Sequence, residues 1–211
     1  MKLPAIVFFL SALTFSLASK ASDNPRVELK TDLGTVVIEL YPKEAPITVQ
    51  NFLSYVDSQF YDGTIFHRVV PGFVVQGGGM TFDFAEKTTG KPIKNESTNG
   101  LKNEYKSIAM ARYSDPDSAT SQFYVNLQNN AGLNATETKP GYTVFGKVIE
   151  GIEVIEKIAQ EPRGMFKAHP EAPNYAVRIL TAKRFDSSNN TSTTSDSIVK
   201  SRFKDALVKP E

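Results

Sequence analysis

The sequence predicts a mainly β domain, a closed or sandwiched antiparallel structure carrying two helices. Three observations carry that prediction. Short apolar, β-branched runs recur between residues 27 and 183, separated by Gly, Pro and Asp. Only two well-formed stretches within that span place their apolar residues at helical intervals. No internal repeat is visible, and 211 residues at 40% hydrophobic content suit a single core.

Residues 27–30 and 35–40 read as a hairpin. Val36, Ile38 and Leu40 alternate with Val37 and Glu39, and Thr31-Asp32-Leu33-Gly34 supplies the turn. A helix starts near Pro46, since Pro suits the first turn, where its missing N–H is not needed. Val49, Phe52, Leu53 and Val56 then form one apolar stripe, and Tyr61-Asp62-Gly63 ends it. Residues 64–70, 73–76, 107–112, 122–127 and 142–148 read as further strands. A second helix over 152–159 groups Ile152, Ile155 and Ala159, and residues 176–183 form the last strand. Between Phe84 and Tyr105 lies a polar stretch of a length often reserved for function.

Composition removes several function classes. Lys and Arg number 24 against 23 Asp and Glu, a net charge of +1. With no basic run, binding of nucleic acid through its phosphates is not expected. The absence of Cys excludes disulfides, thiolate zinc sites, iron–sulfur clusters and a cysteine nucleophile. His67 and His169 are the only histidines, so a His-rich metal site is not expected either.

Residues 1–21 read as a signal peptide: Lys2, an apolar run from Leu3 to Leu17, then Ala18-Ser19-Lys20-Ala21. The run is shorter than the ~18–20 residues that span a bilayer. Cleavage after Ala18 or Ala21 is therefore expected, with no stable membrane insertion afterwards. Every residue from Ser187 to Ser195 is Ser, Thr or Asn. Residues 187–211 accordingly read as a polar, flexible tail, and 22–186 as the folded domain.

The densest unusual segment is Phe66-His67-Arg68-Val69-Val70-Pro71-Gly72-Phe73-Val74-Val75-Gln76-Gly77-Gly78-Gly79. Alternation places Arg68 between Phe66 and Val70 on one face, and His67 between Ile65 and Val69 on the other. Either Arg68 lays its stem over apolar surface with its head in water, or the head is held at a site. His67, among apolar neighbours, reads as a core histidine rather than a base. Gln122, Tyr124 and Asn126 share a face, which is either solvent-exposed or the floor of a polar groove. The triple glycine follows no dinucleotide fingerprint and reads as a turn needing positive φ. No Gly-x-Ser-x-Gly elbow supports hydrolase chemistry.

Residues 66–78 resemble the signature of the cyclophilins, peptidyl-prolyl cis–trans isomerases. Further blocks are similar to the family's and follow in its order: Ile108-Ala109-Met110-Ala111-Arg112, residues 118–127 and Gly141-Tyr142-Thr143-Val144-Phe145-Gly146-Lys147-Val148. The opening segment 31–51 fits as well, so the resemblance spans residues 26–185. The Lys91-Pro92-Ile93-Lys94-Asn95-Glu96 loop is similar to that of bacterial members, including exported ones.

The resemblance implies a closed eight-stranded antiparallel β-barrel capped by two α-helices, with the substrate groove on its outer face. Arg68 matches the catalytic arginine, Phe73 the aromatic that receives the substrate proline, and Gln76 the glutamine lining the site. Val74 falls where a larger apolar residue such as Met is usual. Ala111 and Arg112 match the pair bordering the neighbouring subsite. Gln122 and Tyr124 match the groove wall, Tyr124 adding a hydroxyl to the proline pocket. Leu133 matches the apolar lid residue, and Tyr142 stands where many eukaryotic members have His. Gly132 replaces the aromatic, often Trp, that contacts cyclosporin, so weak cyclosporin binding is expected.

The same resemblance implies catalysis of X–Pro bond rotation in proline-containing polypeptide clients by a monomer needing neither metal nor other cofactor. Exported proteins would be helped to fold in a bacterial periplasm, with a eukaryotic secretory pathway or the extracellular space as the other setting. A binding module for Pro-containing segments, with little turnover, is the alternative function.

Overall fold

The computed structural model describes residues 24–185; the expected signal peptide and polar tail lie outside the described residues. Eight strands form one antiparallel sheet: β1 (Arg26–Thr31), β2 (Gly34–Leu40), β3 (Arg68–Val70), β4 (Val74–Gly77), β5 (Ser107–Met110), β6 (Phe123–Asn126), β7 (Val144–Glu150) and β8 (Ile179–Arg184). Their order across the sheet is β3-β4-β6-β5-β7-β2-β1-β8. Val36, Ile38 and Leu40 of the first hairpin are buried as the alternation predicts, but Val37, expected on the opposite face from them, is buried as well.

The curled sheet encloses a core that includes Phe52, Tyr61, Phe66, Phe123 and Phe145, whose rings pack edge-on or tilted. Helix α1 (Pro46–Asp57) contributes Val49, Phe52, Leu53 and Val56 to it, as the spacing predicts. Helix α2 (Ile152–Gln160) buries Val154, Ile155, Ile158 and Ala159. Ile152, expected on that face, is only partly buried. Among the described residues no helix is long and apolar enough to cross a membrane.

One expectation needs correction: the ladder does not close. β3 and β8 are the two edges, and they are not paired as strands. The reason lies in residues 64–67, predicted as strand, where only Ile65 makes a β-bridge, to Arg178. Phe66, placed by alternation on the outer face with Arg68, is fully buried because the chain before β3 is not extended strand. The two edges are instead sutured by scattered backbone bonds. Gly63 N–H donates to Ile179 (2.8 Å), Ile179 to Thr64 (2.7 Å), Phe66 to Val177 (3.0 Å) and Val69 to Glu171 (2.8 Å).

The long polar stretch also has a structural task. Ala45, at the start of α1, offers no side-chain cap. Glu96 supplies one from a distant part of the chain: its carboxylate accepts from the N–H groups of Ile47 (3.0 Å) and Thr48 (2.9 Å) and from the Thr48 hydroxyl (2.7 Å). A carboxylate there satisfies orphan donors and complements the positive helix end.

Candidate active site

On the outer face of the sheet a second apolar cluster sits apart from the core. Val74, Ala109, Tyr124 and Val144 are its buried members, with Phe73, Leu101, Ala111, Leu133 and Tyr142 packed against them. Above it opens a groove of about 250 Å³ lined by Arg68, Phe73, Val74, Gln76, Ala111, Arg112, Tyr124, Leu133 and Tyr142. Of the site residues inferred from sequence, only Gln122 does not line this groove; it lines an adjoining hollow that shares Gln76, Ala111 and Arg112 with it.

The backbone explains how these side chains converge. Arg68 pairs with Gln76 across β3 and β4, and Gln76 with Tyr124 across β4 and β6, so the three stand side by side. Strict alternation would send Phe73 to the face opposite Gln76. Phe73 escapes this because it lies in the turn before β4 rather than in the strand. Within the strand Val74 and Gln76 share the outer face, two residues apart. Leu133 is carried by a 3₁₀ turn, Ala131–Leu133, whose following chain is tied back by Tyr142 N–H to Leu133 C=O at 2.9 Å.

The face bearing Tyr124 and Asn126 is neither exposed nor an open polar floor; both residues are buried. The Tyr124 hydroxyl donates to Asn103 Oδ1 at 2.8 Å, so it is engaged beneath the groove instead of being presented to the proline pocket. Asn126 Nδ2 reaches the same oxygen at 3.2 Å and Ser107 Oγ at 2.9 Å. Asn130 Nδ2 donates to Asn126 Oδ1 (2.7 Å) and to the Phe73 carbonyl (3.0 Å). Asn134 Oδ1 accepts from the Asn103 backbone N–H at 2.7 Å. Burial of Tyr124 pushes its phenol well above the ordinary range, so it stays a neutral donor. Asn126 lies on the strand face that alternation marks, but its partners Asn103, Asn130 and Asn134 lie outside helices and strands, where no periodicity points to them.

Arg112 is committed to its surroundings. Its guanidinium donates to the carbonyls of Tyr113 (2.8 Å), Pro140 (3.1 Å) and Gly141 (3.3 Å) and lies 4.5 Å from the Tyr142 ring centroid. Tyr142 in turn meets Tyr124 edge-on at 5.9 Å. Arg112 thus shapes the groove wall. Arg68 keeps an intermediate exposure and forms one ion pair, Nε to Glu171 Oε2 at 2.6 Å.

Behind the site, His67 is buried, and burial pulls its pKa down to about 4, so the ring is neutral at physiological pH. It is a core histidine as expected, though its Nδ1 has no partner among the described residues. The triple glycine is needed for three different reasons. Gly78 alone has positive φ, +82°. A Cβ on Gly77 would come 2.9 Å from the Ile65 carbonyl oxygen, and one on Gly79 would come 2.4 Å from Gln122 Cγ. Among the described residues no three His, Asp or Glu side chains gather in a way that could hold a metal ion.

Fold and site define a β domain with a groove on the outer face of its sheet. The family model "Cyclophilin type peptidyl-prolyl cis-trans isomerase/CLD" matches residues 26–184. A peptidyl-prolyl cis-trans isomerase of Acinetobacter baylyi is 50% identical over 167 residues, covering 79% of this chain and 89% of the relative. Peptidyl-prolyl cis-trans isomerase A of Dickeya dadantii is 46% identical over 181 residues, covering 86% and 95%. A crystal structure of a Cryptosporidium parvum cyclophilin type peptidyl-prolyl cis-trans isomerase aligns with TM-score 0.65 at 25% identity, covering 77% of this chain and 98% of that one. A second structure of the same enzyme, in the presence of the dipeptide Ala-Pro, aligns with TM-score 0.64 at 26% identity over 76% and 99%. The chain belongs to the cyclophilin-type peptidyl-prolyl cis-trans isomerase family, and it is an isomerase.

Proposed function

We propose that this isomerase acts on X–Pro bonds of exported polypeptides, with Arg68 stabilising the twisted amide. The observation that carries the reading is the convergence of Arg68, Phe73, Gln76 and Leu133 on one groove. Rotation about an X–Pro bond meets a barrier of ~18–20 kcal/mol. At about 20 kcal/mol the rate is on the order of 0.01 per second, and ~1000 per second requires a barrier ~7 kcal/mol lower.

No covalent bond need form. As conjugation breaks, the prolyl nitrogen becomes pyramidal and gains a lone pair. A guanidinium donates to that lone pair only in the twisted state, so its contribution is selective for the transition state. Arg presents five N–H donors and stays protonated. The Glu171 pair engages Nε, and the terminal amino groups remain as donors. Phe73, Leu133 and the Tyr124 ring hold the proline. Gln76 gives one N–H to Gln122 and retains another, with its carbonyl oxygen, for the substrate backbone. Fixing one side of the bond while the other turns is catalysis by orientation. Clients are proline-containing polypeptides, in keeping with the Ala-Pro dipeptide named with the Cryptosporidium parvum enzyme.

Export rests on residues 1–21, whose charged start, apolar run and small-residue end have the form of a cleaved leader. A bacterial periplasm is the compartment that fits best. N-terminal sequencing of the mature protein, expected to begin at Ser19 or Ser22, checks this reading. The central experiment is a protease-free isomerisation assay: Arg68→Ala lowers kcat/KM at least ~100-fold, about 2.7 kcal/mol, with the domain still folded. Unchanged turnover would leave a Pro-segment-binding module as the better description.

A further inference from the structure

The groove does not account for Glu171, which neither periodicity nor any motif marks and which does not line the groove. It lies in the segment between α2 and β8, yet it holds two consecutive residues of β3. Its backbone carbonyl accepts from the Val69 N–H at 2.8 Å, and its carboxylate lies 2.6 Å from Arg68 Nε. The neighbouring Ala172 is buried, and its N–H donates to the His169 carbonyl at 3.0 Å. The His169 ring is stacked on Phe84, 4.4 Å between centroids and nearly parallel, and Phe84 packs against Phe166 at 4.9 Å. Glu171 is therefore presented from a braced segment.

Arg68, by contrast, starts a three-residue edge strand with no strand partner on its outer side. A long side chain in that position pays a large rotamer entropy cost to adopt one orientation. The pair is partly exposed on both sides, and such pairs do little for stability. What the pair can do is fix where the guanidinium points. We infer that Glu171 is a positioning residue, orienting Arg68 toward the groove before the peptide arrives. The inference rests on the reading of Arg68 as the group that meets the prolyl nitrogen.

The test is a double-mutant cycle in the isomerisation assay, combined with 15N relaxation of the Arg68 Nε–H. Glu171→Ala lowers kcat about fivefold with KM within twofold, and the Nε–H becomes more mobile. Glu171→Gln, which keeps an acceptor of the same shape, restores at least half of the lost activity. In the Arg68→Ala background, Glu171→Ala causes no further loss, because the two residues act as one unit. The Val69 bond uses the Glu171 backbone and survives every variant, and thermal melts check that the fold does too. An unchanged or raised kcat in Glu171→Ala, or the same fivefold loss without Arg68, overturns the positioning role. If Arg68→Ala abolishes turnover while Glu171→Ala does not affect it, the positioning role alone fails. If Arg68→Ala is fully active, the catalytic reading fails with it.

Discussion

Gln76 Nε2 donates to Gln122 Oε1 at 2.9 Å, joining the groove to the hollow beside it. Gly79 makes this possible, because any side chain there would meet Gln122 Cγ, Cδ and Nε2 within 3 Å. The atoms met belong to a flexible side chain, so Gly79→Ala should fold while pushing Gln122 aside. We expect kcat/KM to fall about fivefold, ~1 kcal/mol, in that variant. A value equal to the wild type would remove the glutamine pair from substrate positioning.

Asn103 is the node beneath the groove, accepting from Tyr124 and Asn126 on one oxygen. Asn103→Ala leaves the buried Tyr124 hydroxyl without its acceptor, at a cost of about 2 kcal/mol in stability by denaturant unfolding. The groove wall loosens with it, so KM rises more than kcat falls. A KM within error of the wild type would show the network to be a core device only.

A Cβ on Gly132 meets nothing within 4 Å. The position next to Leu133 is therefore empty of aromatic surface and open to receive it. Cyclosporin at nanomolar concentration should leave the wild-type enzyme active, and Gly132→Trp should lower the inhibitory concentration at least tenfold, ~1.4 kcal/mol. Complete inhibition of the wild type at nanomolar drug contradicts the expectation.

His67 sets part of the acid stability. In the unfolded chain it takes up a proton near pH 6.5, and in the folded protein near pH 4, chiefly because burial disfavours the charged ring. Below pH 6.5 the unfolded state thus binds more protons, and stability falls as pH drops toward 4, by up to about 3 kcal/mol. Thermal melts across that window should show the decline, and His67→Gln should flatten it. An equally steep decline in the variant would assign the slope to other groups.

The site was more legible in the sequence than the sheet's closure. Arg68, Gln76 and Tyr124 follow from the resemblance, where alternation alone left Arg68 and the Tyr124 face open, and all three line the groove. Phe73 joined them only through a turn that alternation cannot describe. Residues 64–67 carry strand-like composition, yet their backbone bonds are divided between Tyr61 and Met80 on one hand and residues 177–179, over a hundred positions away, on the other, with no regular ladder. Tyr124 looked like a pocket hydroxyl because its acceptor, Asn103, sits in an aperiodic loop. Glu171 left no local trace either, since its partner is set by tertiary contact alone.

The suture between residues 63–69 and 171–179 has a consequence for how activity is born. On the ribosome the arginine is synthesised long before the stretch that fastens its strand, and such distant contacts form slowly. A nascent chain halted before Glu171 would hold every residue of the groove and still lack the backbone bonds that fasten the arginine's strand to residues 171–179.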